Sequence, residues 1–461
     1  MNKPNNTISR RQFIGTLGAA AAVTGLASCV KNTSAKAGEV FENKKGRMEY
    51  RSGVHGEQVS LLGYGCMRWP TIPGNSAPGE NNIDQEAVNE LIDYAIAHGV
   101  NYFDSSPAYC RGFSEEVTGI ALARYAREHY YIATKLSNFD PSTWSFETSK
   151  SMYKRSLKLF HTDYLDFYLL HGIGMGGMEN LRGRYLDNGI LDYLLEERAA
   201  GHLRNLGFSY HGDITCFDYL LSLHDKYHWD FVQIQMNYVD WHYAKQVNPR
   251  NTDAEYLYNE LDKRGISAVI MEPILGGRLA SLPEGPTRRL KTREPERSIA
   301  SWAFRFSGTY PRVLTILSGM TYMEHLQDNL SSFAPFKPLT ADELDELETI
   351  AHEYVTFPIV PCTNCQYCMP CPYGLDIPGT FRHYNDSLNE GRINDNPATK
   401  DYRKLRREYL NTYTQAVARE RQADHCIGCG QCKIHCPQHI DIPAEMQRID
   451  KFVESLRNNV L

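Results

Sequence analysis

Eight of the twelve cysteines fall after Val360, in two runs of four, and nothing else in the chain limits it as sharply. The first run is Cys362-x-x-Cys365-x-x-Cys368-x-x-Cys371, and the second is Cys426-x-x-Cys429-x-x-Cys432-x-x-x-Cys436. Each is followed at once by a proline, Pro372 and Pro437. Such crowding argues against a disulfide framework and for metal. Tight spacing lets successive backbone turns wrap a cube of iron and sulfide. Cys-x-x-Cys also suits a zinc ribbon, but two runs of four, each closed by proline, favour iron.

The second run matches the spacing of the bacterial ferredoxin motif, and the first is one residue shorter before its last cysteine. That resemblance implies two [4Fe–4S] clusters, with the proline steering each fourth cysteine away, often to the other cluster. Residues 380–424 between the runs are rich in Arg, Tyr, Asn and Glu and helical in period, which resembles the alpha-helical ferredoxin type. Residues 342–354 read as an acidic amphipathic helix, after which Pro, Cys and Gly rise together. The composition breaks near Thr356, and residues 341–461 are expected to form a connector helix and a two-cluster domain.

The start of the chain is a processing segment and is set apart from the fold. Ser9-Arg10-Arg11-Gln12-Phe13-Ile14 resembles a twin-arginine export signal, and a Gly- and Ala-rich apolar stretch follows. That stretch is too short to span a membrane well. Leu26-Ala27-Ser28-Cys29 resembles a lipoprotein cleavage box, with Cys29 as the lipidated residue. Residues 1–29 are thus expected to be the signal and 30–46 a polar tether, placing the protein in the periplasm, anchored through Cys29.

From residue 47 to 340 short apolar runs alternate with helix-period stretches. The strand-like runs are 61–64, 102–105, 130–135, 165–171, 205–209, 231–236, 268–272 and 314–318. Eight strands alternating with helices predict an α/β chain folded as a TIM (β/α)8 barrel. A doubly wound open sheet is the alternative, but no Gly-x-Gly-x-x-Gly opens the first helix. Residues 48–50 and 58–60 flank a Gly-containing turn and predict a hairpin across the barrel floor.

Four residues fall at the C-terminal ends of these strands, where barrel enzymes place their chemistry. Asp104 closes the second run, Tyr109 lies in the loop after it, Lys135 closes the third and His171 the fourth. Their types suit carbonyl reduction. An acid must protonate the oxygen as negative charge grows on it. A tyrosine with a pKa of about 10 is poor at this, and an adjacent ammonium would lower that value. An aspartate would keep the lysine charged, and a histidine N–H would hold the carbonyl.

These segments resemble the aldo/keto reductase family, which uses an Asp–Tyr–Lys–His tetrad on a TIM barrel with a nicotinamide cofactor. The resemblance runs from about Arg47 to Phe336, and it includes Ser156-Leu157-Lys158-Leu159 ahead of the histidine strand and Gly201–Ser209. It implies NAD(P) as cofactor, with Ser209 and Gln233 at the carboxamide, Met271 against the nicotinamide ring, and Gly319 and Asn329 in the segment holding the adenosine end. Tyr210 stands where an asparagine is common, and Met271 where an aromatic often stacks. Gly319 and His325 stand where basic residues often grip a 2′-phosphate, so NAD and NADP both remain open.

A net charge of −6 gives no reason to expect nucleic-acid binding. The expected partners are a small carbonyl or alcohol substrate and a redox partner at the clusters. Trp69, Trp241 and Tyr243 are candidates for a stacking wall around the substrate, and Cys66, Cys110 and Cys216 are isolated, Cys110 beside the catalytic tyrosine. The rival to a working reductase is an iron–sulfur electron carrier whose barrel has lost its hydride chemistry; a third reading makes the clusters structural.

Overall fold

A computed structural model describes residues 48–73, 78–79, 81–355, 359–394, 397 and 399–458. The segments expected to hold an export signal with Arg10 and Arg11, a lipidated Cys29 and a tether lie outside the described residues. No helix among the described residues is long and apolar enough to cross a membrane.

Eight parallel strands close into a barrel. They are β3 (Leu62–Gly65), β4 (Tyr102–Asp104), β5 (Tyr131–Leu136), β6 (Leu165–Ile173), β7 (Leu203–Tyr210), β8 (Phe231–Gln235), β9 (Ser267–Met271) and β10 (Val313–Ser318). Closure comes from β10 pairing with β3, Ile316 against Leu62 and Ser318 against Tyr64. An open doubly wound sheet would leave those two edges unpaired, so the alternative is excluded. The lumen is filled from below by Tyr102, Phe167, Leu169, Phe231 and Leu317. Phe167 meets Tyr102 and Phe231 edge to face at 5.0 and 5.1 Å. Each such pair adds about 0.5–1.5 kcal/mol to the area it buries.

The floor hairpin is present as β1 (Tyr50–Ser52) against β2 (Gln58–Ser60). Its first strand begins two residues later than the sequence predicts, because Met48 turns into the barrel's helical shell. Val59 closes the lumen from beneath. Only the opposite end of the barrel remains for a site, and every candidate catalytic residue points there.

After the barrel, the helix Ala341–Val355 buries Leu347, Ile350, Ala351 and Tyr354 in the barrel's outer shell. Its Glu348 accepts hydrogen bonds from Tyr243 and His242 of the barrel helix Asp240–Val247. A second, separate core follows, built from the helices Ile377–Asn389, Tyr402–Ala416 and Ile442–Asn458. Phe381, Tyr409, Tyr413, Met446 and Val453 form its centre, and the cysteine loops pack on it. Among the described residues this domain contains no strand, in agreement with the helical period of the sequence.

Candidate active site

The lysine and aspartate of the expected tetrad form a buried ion pair. The parallel register sets Asp104 against Ala133, two residues before Lys135. Lys135 Nζ donates to Asp104 Oδ1 at 2.5 Å and to the Ser105 carbonyl at 2.8 Å. Both side chains are out of solvent. Burial pushes the aspartate up and the lysine down, and their mutual attraction opposes both shifts. The ammonium lies 4.7 Å from the centre of the Tyr109 ring.

Tyr109 follows β4 in a short turn where Cys110 and Arg111 take φ values of 50° and 56°. Its ring stands edge to face with His171 at 6.0 Å. Here one expectation is overturned. The phenol is not depressed by the lysine. It is held well above its ordinary value, first by burial and then by Asp104, Tyr367 and Glu272. Lys135 donates to Asp104 and lies over the face of the Tyr109 ring. Tyr109 is therefore a neutral phenol in this site, and burial makes it a weaker acid than a free tyrosine.

His171 is fixed through Nδ1, which lies 2.7 Å from Ser137 Oγ and 3.3 Å from Ser106 Oγ. Its carbonyl accepts from Arg184 Nη2 and Tyr185 OH. Burial first, then Lys135 and Arg184, hold its pKa well below the usual imidazole range. A neutral ring whose Nδ1 accepts from Ser137 carries its proton on Nε2, the nitrogen left for a carbonyl oxygen. Neither serine stands out in the sequence, because small hydroxyl residues after strands are commonplace.

The residues expected to meet a cofactor line consecutive strand ends. Ser209 on β7 is in register with Gln233 on β8, and Gln235 with Met271 on β9. Ser209 Oγ accepts from Gly172 N at 2.9 Å. Gln233 is buried beside Asp104, and its Oε1 has no partner. Met271 is half-buried, and Gly319 lies exposed beyond β10. Asn329 Nδ2 is spent on Ser318 Oγ at 2.9 Å.

The aromatic wall expected from Trp69, Trp241 and Tyr243 does not form. Trp69 is buried against Tyr64 and donates to Thr118 Oγ1. Trp241 packs on Tyr310 and Phe306 in the outer shell, and Tyr243 is tied to Glu348. Adjacency to strand ends suggested a pocket, but the apolar demand of the helix layer claims all three. Cys110 is a buried thiol 3.4 Å from the Met67 carbonyl, and burial pushes it up to about 12.

The mouth is bordered by a residue that the sequence does not single out. Tyr367, between Cys365 and Cys368, has Cys110, Glu272 and Asp104 as electrostatic neighbours. The cysteine loop thus reaches the barrel. Cys362, Cys365, Cys368 and Cys436 line one small apolar void with Ile377 and Phe381. Cys432 neighbours Cys426, Cys371 and Cys429. Each set therefore takes its fourth sulfur from the other run. Among the described residues no three His, Cys, Asp or Glu side chains converge to hold a single metal ion, and the first set of sulfurs rings a void.

Comparison with known proteins agrees with both halves. Residues 361–440 match the 4Fe-4S dicluster domain, which sets the zinc alternative aside. The uncharacterized oxidoreductase YqkF of Bacillus subtilis is 25% identical over 308 residues, 61% of this chain and 89% of that protein. L-galactose dehydrogenase of Arabidopsis thaliana is 24% identical over 306 residues, 62% of this chain and 88% of that protein. An aldo-keto reductase from Bacillus halodurans, solved in its holo form, shares the fold with a TM-score of 0.52 at 23% identity, covering 66% of this chain and 96% of its own. Residues 61–352, more than half of the chain, match the aldo/keto reductase family profile, and a closed barrel that gathers Asp104, Tyr109, Lys135 and His171 at its mouth is what that match leads one to find: the chain belongs to the aldo/keto reductase family.

Proposed function

We propose that the chain reduces a small carbonyl, or oxidises the matching alcohol, with NAD or NADP, and that two [4Fe–4S] clusters exchange electrons with a redox partner. The observation that carries this reading is the buried Lys135–Asp104 pair, with its ammonium 4.7 Å from the centre of the Tyr109 ring and His171 edge to face with that ring. The nicotinamide, when bound, supplies or takes the hydride. Tyr109 gives its proton to the carbonyl oxygen as charge develops there. His171 Nε2 donates to the same oxygen and orients it. Lys135, paired with Asp104, lies over the face of the Tyr109 ring and positions it. The name of the relative L-galactose dehydrogenase suits such alcohol–carbonyl chemistry.

The nicotinamide end of the cofactor fits the residues present. Gln233 Oε1 is a buried acceptor without a donor, and the cofactor's carboxamide N–H would satisfy it. Ser209 and Met271 would flank that ring, with Gly319 and Asn329 toward the adenosine end. The apolar void suits an iron–sulfur group held by Cys362, Cys365, Cys368 and Cys436, and Cys371, Cys426, Cys429 and Cys432 would hold the other. One observation favours the second reading, an electron carrier with an idle barrel. Gly276 and Arg68 pack on the Thr363 backbone, and the Arg68 stem lies against Gly319, so the cysteine loop borders the route from Met271 to Gly319.

Export through the twin-arginine route and lipid anchoring at Cys29 complete the proposal. A folded, cluster-bearing cargo suits that route, since unfolded chains lack a preformed site. Two measurements separate the readings. Supernatant from denatured protein is assayed for NAD and NADP, and Tyr109→Phe is assayed for 4-nitrobenzaldehyde reduction. The first reading expects nicotinamide to bind, and Tyr109→Phe to lose about 10²–10⁴-fold in turnover with binding retained. No cofactor in the supernatant, and none bound when supplied, hands the case to the electron carrier.

A further inference from the structure

The seam between barrel mouth and cysteine loop holds charges that the tetrad does not use. Arg68, in the loop after β3, donates from Nη2 to the Thr363 carbonyl. Gly276, at a φ of 65°, lies so close that a Cβ there would stand 2.2 Å from the same carbonyl oxygen. These contacts pin the first cysteine run to the barrel. Two residues further on, Arg278 donates from Nε to the Leu275 carbonyl at 3.3 Å, while its Nη1 and Nη2 are buried without a hydrogen-bond partner. A buried guanidinium with idle donors is costly unless negative charge lies near it.

The anionic groups around it fall into two sets. Glu272 and Asp240 lie on the barrel side, and the sulfur of Cys362 on the other. Arg68 shares two of these neighbours, Glu272 and Cys362. Glu272 follows β9 with a φ of 52° and neighbours Tyr109. Glu272 thus neighbours Tyr109, both guanidiniums and the sulfur of Cys365. By contrast, Cys432 of the second sulfur set has the other cysteines of that set around it.

We propose that Arg68 and Arg278 are the fixed counter-cations of the iron–sulfur group held by Cys362, Cys365, Cys368 and Cys436, and that Glu272, drawing on both, opposes them. This rests on the reading of the cysteines as two cluster sites and not on the barrel's turnover. One electron taken from an external reductant adds one negative charge to the group. Arg68 and Arg278 favour that charge and Glu272 disfavours it, because the seam is buried and charges there are weakly screened. Reduction potential is set by such local charge among other levers.

The experiment is an EPR-monitored titration of the anaerobic full-length chain with dithionite and mediators, at a mildly alkaline pH, which favours the ionised form of Glu272. Wild type, Arg278→Met, Arg68→Gln and Glu272→Gln are compared, and Cys365→Ser assigns the signals to their sites. Both arginine variants are expected to lower the midpoint of the first cluster, Glu272→Gln to raise it, and all three to leave the second unmoved. Shifts of the same sign, shifts shared equally by both clusters, or no shift overturn the proposal. If Arg278→Met loses iron, Arg278→Lys decides: recovery of iron and midpoint supports the counter-cation, and failure to recover sinks it. Wild-type iron content is read first, so a chain that takes up no cluster refutes the parent reading, and this one with it, before any variant is made.

Discussion

Replacing Lys135 by methionine removes the cation from the buried pair at the centre of the site. Nζ and Oδ1 are 2.5 Å apart. With an effective dielectric of about 20, unit charges at that separation attract by about 7 kcal/mol. Desolvation offsets much of this, and breaking such a pair costs about 3–5 kcal/mol because the remaining charge stays buried. In Lys135→Met the Asp104 carboxyl loses its two largest stabilising contacts, and its Oδ2 already lacks a partner. Its pKa, raised by burial, rises further. A carboxyl whose folded pKa exceeds its unfolded value binds protons more readily when folded. Stability therefore falls as pH rises from about 4 through the folded value, and recovers as pH drops. Near-UV circular dichroism melting of the holoprotein at about pH 8 and about pH 5.5 reads this out. Near pH 8 the variant is expected to melt about 5–8 °C below wild type, with a smaller deficit in acid. Asp104→Asn combined with Lys135→Met should recover most of the loss. Equal deficits at both pH values, or a double variant no better than the single one, would refute the reasoning.

Further outcomes follow from other parts of the fold. Gly276→Ala places a Cβ against the Thr363 carbonyl at a positive φ; amide exchange across residues 359–371 should accelerate while the barrel strands stay protected, and unchanged exchange would mean the loop is not pinned there. His171 is held well below the usual imidazole range, so carbonyl reduction should show no inflection near pH 6.5; a titration at that value, read from the pH profile of kcat/KM, would count against a neutral ring. Arg10→Lys with Arg11→Lys should retain the protein in the cytoplasm, and Cys29→Ser should release it from membranes; fractionation unchanged in both would end the export reading.

The strands and their order are legible because lumen and shell both demand apolar residues, so each strand is a short apolar run between polar helices. The tetrad is legible for a related reason. A polar residue closing an apolar run is singly a common cap or solvated position; it is the joint spacing of Asp104, Tyr109, Lys135 and His171 on successive strand ends that marks the candidate site. What the sequence hides is whatever two distant segments make together. Tyr367 reads as filler between cysteines, yet it borders the mouth. Arg68 and Gly276 carry no motif, yet they hold the Thr363 backbone. The state of Tyr109 is misjudged from sequence because residue types show the neighbouring lysine but not the burial that outweighs it. Trp69 and Trp241 mislead in the opposite direction, since a large aromatic satisfies shell packing as well as a pocket wall.

The crossing of the fourth cysteines bears on how the C-terminal domain is made. Cys436 joins the set of Cys362, Cys365 and Cys368, and Cys371 joins that of Cys426, Cys429 and Cys432. Neither set is complete within its own run, so in the proposed two-cluster reading each site needs both runs, with the helices Ile377–Asn389 and Tyr402–Ala416 lying between them. Two crossed staples over one stretch of chain reward each other: closing the first prepays the loop entropy of the second. In the proposed two-cluster reading, loading is expected to be concerted, and a chain cut short before Cys436 is expected to lose a ligand of the site nearer the barrel.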